Sequence, residues 1–264
     1  MKSKGLIVTL IILLVIVIAL LIGFLVLCLN GTISFNGGFK IFSGKKSDNI
    51  IYNEQYNIED VNTINLSQKA GDIIFENIDE NVLKVEVYGE TKDDAQISLE
   101  NNELRIEYKN TNSGFFNFNS VRGDIKIFAP SSFVGKIRIK NDAGETKIQN
   151  FENTDIDLDC DAGNVKIDKV KNVNVKCDAG NVEIGTILNQ CNMKMNCGNL
   201  KVDEMNLNAD SNVEADMGNI RIKRINDVYV DAKADLGRCN IGKSVRSSSV
   251  TLRVDCDMGN IDVE

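Results

Sequence analysis

One short phrase recurs through the second half of this chain, and it restricts the fold more than any other feature. It reads Asp142-Ala143-Gly144-Glu145, Asp161-Ala162-Gly163-Asn164, Asp178-Ala179-Gly180-Asn181, Asn196-Cys197-Gly198-Asn199, Asp216-Met217-Gly218-Asn219, Asp235-Leu236-Gly237-Arg238 and Asp257-Met258-Gly259-Asn260. The glycines lie 19, 17, 18, 20, 19 and 22 residues apart. An earlier copy, Ala70-Gly71-Asp72, counts as the first. A unit this short cannot bury its own apolar face, so neighbouring copies must stack.

With each Gly as position zero, apolar residues fall at −7, −5, −3, −1, +2, +4 and +7. In the third copy these are Ile156, Leu158, Cys160, Ala162, Val165, Ile167 and Val170. The eight copies offer 55 such positions, because the last ends before +7, and only Gln68, Asn141, Thr146, Ser211 and Ser244 are not apolar. The chain as a whole is 43% apolar, so this regularity is a core pattern and not a composition effect. A period of two marks β-strands, and no 3.6-residue period competes with it. The alternation slips by one residue at Gly-Asn. Every later side chain would then point outward unless the chain bends there, so Gly-Asn is a corner. The reading is an all-β fold, a parallel β-solenoid of about eight coils spaced ~4.8 Å apart.

The pattern breaks at about residues 79–136. Segments 83–87, 97–99, 104–108 and 125–128 read as strands, with Asn101-Asn102 as a tight turn between the middle two. An antiparallel strand insertion that caps the solenoid's start is expected, because an open end is a sticky edge. No comparable segment follows Gly259, so the stack is expected to end bare at Glu264 and to offer that end as a contact surface.

Residues 6–29 are 24 uncharged residues, mostly apolar. As a helix they span roughly 36 Å, more than the ~30 Å hydrocarbon core. A signal peptide would have a shorter apolar region and a small-x-small cleavage site, and neither is present. Cys28 follows bulky Leu27, unlike a lipoprotein site. A retained single transmembrane helix is expected. Lys2 and Lys4 favour an N-inside orientation, which puts the solenoid outside the cell, although Lys40, Lys45 and Lys46 beyond the span blunt the bias. The organisation is then a flank at 1–5, the helix at 6–29 and a linker at 30–55. The first coil and capping strands follow at 56–136, and the repeats at 137–264. Within the linker, Phe35, Phe39 and Phe42 either rest at headgroup level or hang in a loose tether.

The formal charge is −8; without Lys2 and Lys4 it is −8 − 2 = −10. An acidic domain without a basic patch excludes nucleic acid as a partner. The chain has no His, which removes His-based triads, His metal ligands and the usual base near neutral pH.

With its repeats aligned, the chain resembles the toast-rack, or adhesin-type, domain family of bacterial envelope proteins. The resemblance rests on Gly71-Asp72-Ile73, Gly163-Asn164-Val165 and Gly218-Asn219-Ile220, and on the strand Asp124-Ile125-Lys126-Ile127-Phe128-Ala129-Pro130. It covers about residues 61–264. It implies a β-solenoid often tethered by a membrane helix and linked to adhesion or envelope-stress sensing, and it brings no catalytic residues.

Several side-chain sets carry alternative chemistries. Six cysteines fall on inward columns: Cys191 at −7, Cys160, Cys177 and Cys256 at −3, Cys197 at −1 and Cys239 at +2. They read as core filler, since no CxxC spacing occurs and parallel Cβ vectors disfavour a Cys160–Cys177 bridge. Position −2 is a column of Asp142, Asp161, Asp178, Asn196, Asp216, Asp235 and Asp257. Stacked carboxylates repel and need compensation. Each Asp either bonds the N–H groups of its own corner or shares Ca²⁺, with Asp161, Asp178, Asp216, Asp235 and Asp257 as metal candidates. One Asp per coil supplies few oxygens for calcium, and no other cofactor is expected. Position +1 is an Asn column, Asn164, Asn181, Asn199, Asn219 and Asn260, suited to amide ladders. In the polar loop after Gly114, Phe116 and Phe118 either lie under the cap or form a sticky patch.

The expected function is a non-catalytic, membrane-anchored interaction module that contacts an envelope protein or a surface ligand. The alternatives are a calcium-responsive solenoid and a polysaccharide-active β-helix enzyme. The enzyme would need two carboxylates beside a cleft, and the short variable corners offer no groove.

Overall fold

The computed structural model describes residues 47–109 and 123–264. The expected membrane span at 6–29, the linker up to residue 46 and the Phe116/Phe118 loop lie outside the described residues. Among the described residues no helix is long and apolar enough to cross a membrane.

The fold is all-β. Its strands are β1 (Ile50–Asn57), β2 (Thr63–Gln68), β3 (Ile73–Asn77), β4 (Val82–Tyr88), β5 (Ala95–Glu100), β6 (Glu103–Tyr108), β7 (Ile125–Ala129) and β8 (Gly135–Ala179). They continue as β9 (Val182–Cys197), β10 (Leu200–Met205), β11 (Ser211–Met217), β12 (Ile220–Ile222), β13 (Tyr229–Leu236), β14 (Cys239–Ile241), β15 (Thr251–Met258) and β16 (Ile261–Val263). β8 and β9 run unbroken through several bends.

Two rows of strands climb the solenoid, one before each glycine corner and one after it. The row after the corner reads β1-β4-β7-β3-β8-β9-β10-β12-β16-β14. In the other row β5 pairs β6, β6 pairs β2, β2 pairs β8, and β9, β11, β15 and β13 follow. Pairing is parallel within the repeats, and residues of one column face each other: Val175 meets Met193, Met193 meets Val213, Val213 meets Val254 and Val254 meets Ala232. Among the described residues only β1–β4, β4–β7 and β5–β6 are antiparallel. These form the expected cap, and Asn101 and Asn102, both at positive φ, make the tight turn. β1 starts at Ile50, so the end of the expected linker belongs to the cap. Its sequence, with Glu54 and Gln55 amid tyrosines, carries too weak an alternation to have declared itself.

The glycine corners stack in the order Gly123, Gly71, Gly144, Gly163, Gly180, Gly198, Gly218, Gly259, Gly237, each against the carbonyl of the one before. This corrects the sequence reading in two ways. The described residues form nine levels and not about eight, because β6 and β7 form a coil of their own outside β2 and β3. In addition, the stack does not end where the chain ends. β15 and β16 lie between β11/β12 and β13/β14, so the seventh copy is outermost and the eighth is tucked inside it. The exposed end is therefore built from Tyr229–Ile241, while Ile261 and Val263 are buried.

The columns at −7, −5, −3, +2, +4 and +7 form one continuous core, while the −1 residues, expected inward, are half-buried or exposed. Four of the five polar exceptions, Gln68, Asn141, Thr146 and Ser211, are buried in it. They bond among themselves and to backbone, as buried polar groups must. Gln68 Nε2 donates to Asn141 Oδ1 at 3.3 Å. Asn141 Nδ2 lies 3.3 Å from both the Gly71 carbonyl and Thr146 Oγ1. The hydroxyl of Ser211 accepts from Cys191 N at 3.1 Å.

The column assignment has a direct test. Val175 is 1% exposed. Val175→Asp should cost about 3–4 kcal/mol, because an inward carboxylate has no partner there. Lys176, next to it, points outward, with Nζ 3.7 Å from Asp159 and 3.9 Å from Asp178. Such loose surface pairs contribute little, so Lys176→Ala should change stability by no more than ~0.5 kcal/mol. Equal shifts in a urea midpoint would mean the two columns are misassigned.

Candidate functional site

The corner is where the repeat places its polar chemistry. The N–H groups of Gly71, Gly180, Gly198, Gly218 and Gly259 each donate to the carbonyl of the −1 residue one level on, as Gly180 does to Cys197 at 3.0 Å and Gly198 to Met217 at 2.9 Å. The next donor, at +1, goes to the Asn column. Asn199 N donates to Asn181 Oδ1 at 3.2 Å, and Asn199 Nδ2 donates to the same oxygen at 3.2 Å. The same pair of bonds joins Asn164 to Asn181, Asn199 to Asn219, and Asn219 to Asn260. Arg238 N closes the ladder on Asn260 Oδ1 at 3.1 Å. At the other end carboxylates replace the amides: Asp72 N donates to Asp124 Oδ1 and Glu145 N to Asp72 Oδ1, both at 3.0 Å. From Gly123 to Gly144, and again from Gly163 to Gly237, each level is thus tied to the next by a side-chain oxygen above a backbone donor.

This overturns the expected Asx bonds of the −2 column. The corner donors are already taken by carbonyls and by the +1 side chains. Asp161, Asp216, Asp235 and Asp257 are left facing solvent, and Asp142 and Asp178 are half-buried. Asp178 accepts from Asn196 Nδ2 at 3.0 Å, and Asp235 sits 2.6 Å from Lys233 Nζ. At Asp142, burial first and then the charge of Asp161 push the carboxyl above its ordinary range. The five calcium candidates are spread one to a level, with Asp161, Asp178, Asp216, Asp257 and Asp235 in spatial order. Among the described residues no group of three or more His, Cys, Asp or Glu converges to hold a metal ion.

Of the cysteines, Cys160, Cys177, Cys191 and Cys256 are buried and Cys197 is half-buried, and all six in the described solenoid are free thiols. Burial pushes Cys191 up to about 12. A hydrogen bond with Cys177, and then burial, hold Cys160 well above its ordinary value. Cys160, Cys177, Cys191 and Cys256 fill the core. Cys239 is the correction: it occupies an inward column but is exposed, because no coil lies beyond the seventh copy.

Two shallow troughs of about 340 and 160 Å³ lie between outward rows. Both Asp side chains in the larger trough are ion-paired, Asp157 with Lys136 at 2.5 Å and Asp159 with Lys176 at 3.7 Å.

The remaining feature is apolar and lies at the ends. Leu236, Ile241, Met217 and Met258 are exposed at one end of the stack, and Ile50 and Leu99 at the other; Val134, on the crossover into β8, stands apart. Met217, Met258 and Leu236 occupy the −1 column of three successive levels and form a row. The sequence pattern placed all three inward. The −1 column, filled by Ala in earlier copies, lies beside the corner, where larger side chains protrude.

Comparison with known proteins gives a family. The family described as Toastrack DUF4097 matches residues 61–264. No curated protein matches. Among solved structures the chain is similar to a candidate cell adhesion protein from Clostridium sporogenes, at 14% identity and TM-score 0.36, covering 80% of this chain and 98% of that one. It is also similar to a candidate lipid-binding protein from Parabacteroides distasonis, at 14% identity and TM-score 0.38, covering 83% and 99%. A candidate adhesin from Bacteroides fragilis follows at 15% identity and TM-score 0.31, covering 84% and 100%. Scores this low leave the family match to carry the assignment.

Proposed function

The chain belongs to the Toastrack DUF4097 family, and on that premise we propose that it is a non-catalytic interaction module of the bacterial cell envelope. Residues 6–29 anchor it in the membrane, and the solenoid displays a regular acidic column to an envelope protein or a surface ligand. Adhesion and envelope-stress sensing are both versions of this role. The observation that carries the reading is the corner. The Asn ladder ties the levels from Gly163 to Gly237 to one another, and it leaves the −2 column out of the corner's own bonding, with Asp161, Asp216, Asp235 and Asp257 facing outward. A rigid, periodic row of charge is suited to recognition by surface contact.

The test uses intact cells carrying the full chain. Added protease should remove the solenoid domain without lysis. The released domain should co-sediment with isolated envelope fragments, and an Asp161→Asn/Asp178→Asn/Asp216→Asn variant should do so several-fold less well. Digestion only after lysis would place the domain in the cytoplasm and end the envelope reading. Equal co-sedimentation of the variant would remove the acidic column from it.

A further inference from the structure

The two ends of the stack differ from its flanks in three independent ways, and the three agree. First, both strand rows stop in unpaired edges. Among the described residues, β13 pairs only with β15 and β14 only with β16 at one end, and β5 pairs only with β6 and β1 only with β4 at the other. An unpaired edge offers N–H and C=O groups to another chain; on β13 those of Val230 are taken by Ser244 Oγ, which leaves the stretch beyond it for pairing. Second, exposed large apolar side chains concentrate at these same edges. Leu236 on β13 is 68% exposed and Ile241 on β14 38%, while Leu99 on β5 is 36% exposed and Ile50 on β1 44%. Third, the charges are unequal. The cap, residues 50–60 and 82–108, holds ten acidic and three basic residues, 3 − 10 = −7. The outermost coil and its connections, residues 226–250, hold four basic and three acidic, 4 − 3 = +1.

We propose that the outer coil of one copy docks on the cap of a second copy, so that the chains stack head to tail. Cap against cap would set −7 against −7, and coil against coil would leave the cap's apolar edge uncovered. Head to tail covers both ends and brings unlike charge together. The strand directions fit. β5 runs antiparallel to the solenoid strand β6, so β13 meets it as an antiparallel partner. β1 is antiparallel to β4 and β4 to β7, so β14 meets β1 in parallel. The directions match ordinary ladders; β1 lies two strands outside β7 and β5 one outside β6, so β14 reaches β1 first and β13 meets β5 by a tilt of the incoming copy. Such an interface is heterologous and does not close, so assembly grows with concentration and does not stop at a dimer.

Sedimentation velocity of the full-length protein in detergent micelles tests this over a concentration series. The wild-type chain should form species that lengthen as concentration rises. Leu236→Glu faces the acidic cap with another negative charge, and Leu99→Lys faces the net-positive coil with another positive one. Each should be monomeric alone. Mixed in equal amounts they should associate again, because each contributes one intact end. Both side chains are exposed, so the melting temperatures should match wild type; should either variant misfold, Ile241→Glu and Ile50→Lys repeat the test. A wild-type chain that stays monomeric overturns the proposal. So does association that Leu99→Lys leaves intact, which would mean coil-to-coil contact, and association that neither variant affects, which would mean contact through the membrane segment.

Discussion

Alanine at Gly180 should cost the solenoid about 5 kcal/mol, enough to abolish cooperative folding at moderate urea. The added Cβ would stand 1.6 Å from the carbonyl oxygen of Gly163 on the level before. That oxygen belongs to backbone and cannot rotate away. The clash is relieved only by parting the two levels, which breaks the bonds from Val165 N to the Asn181 carbonyl, 2.9 Å, and from Asn181 N to Asn164 Oδ1, 3.3 Å. Each is worth about 1 kcal/mol. The φ of +152° at Gly180 is a conformation that a side chain resists, at about 1–3 kcal/mol. Residual crowding adds about 1–3 kcal/mol. Gly242→Ala is the control, since its nearest neighbour would be 3.3 Å away and its φ is ordinary. Equal urea midpoints for the two variants would mean that the corner is not held by close backbone approach.

The fold was legible because the repeat declares it twice, through glycine spacing and through the seven inward columns. What escaped was tied to features the columns do not encode. The ninth level was present as Gly123-Asp124-Ile125, the same phrase as Gly71-Asp72-Ile73. It was hidden because residues 109–122 separate it from its own β6 strand and destroy the −1, −3, −5 spacing. The order of the last two copies was hidden because parallel coils with identical columns accept either order. A weak signal existed. The outer coil carries Ala232 and Ala234 where the inner one carries Val254 and Cys256 in the same columns. Small side chains suit a layer covered on one side only. At the corner, both polar columns were visible, but the satisfying role went to the wrong one. The +1 side chain lies over the next level's +1 N–H, whereas the −2 carboxylate is held away from it by the turn.

Ending the chain after Val250 should remove two levels of the stack. If spatial order followed chain order, loss of residues 251–264 would strip one end coil and leave its neighbours paired. Instead it removes an interior level. β13 and β14 lose the only strands they pair with, and the outer sides of β11 and β12 are opened. Leu252, Val254, Ile261 and Val263, each at most 1% exposed, go with the deletion. At about 1.5–3 kcal/mol apiece, that is roughly 6–12 kcal/mol of burial. The seventh copy is not free to drop into the gap. Its lead-in is pinned by Asn226, whose Nδ2 donates to the Leu207 carbonyl at 2.8 Å and whose Oδ1 accepts from Leu207 N at 3.0 Å. Moreover, Ala232 and Ala234 are too small to cover Val213 and Ala215. Amide exchange reads the result level by level. In the intact chain Ile261–Val263 should be protected longer than Cys239–Ile241, although it lies nearer the terminus. In the shortened chain Tyr229–Ile241 should exchange like an unfolded peptide, while Val182–Met205 keeps its protection. If Tyr229–Ile241 stays protected after the deletion, the seventh copy does not depend on the eighth, and the interleaved order is wrong.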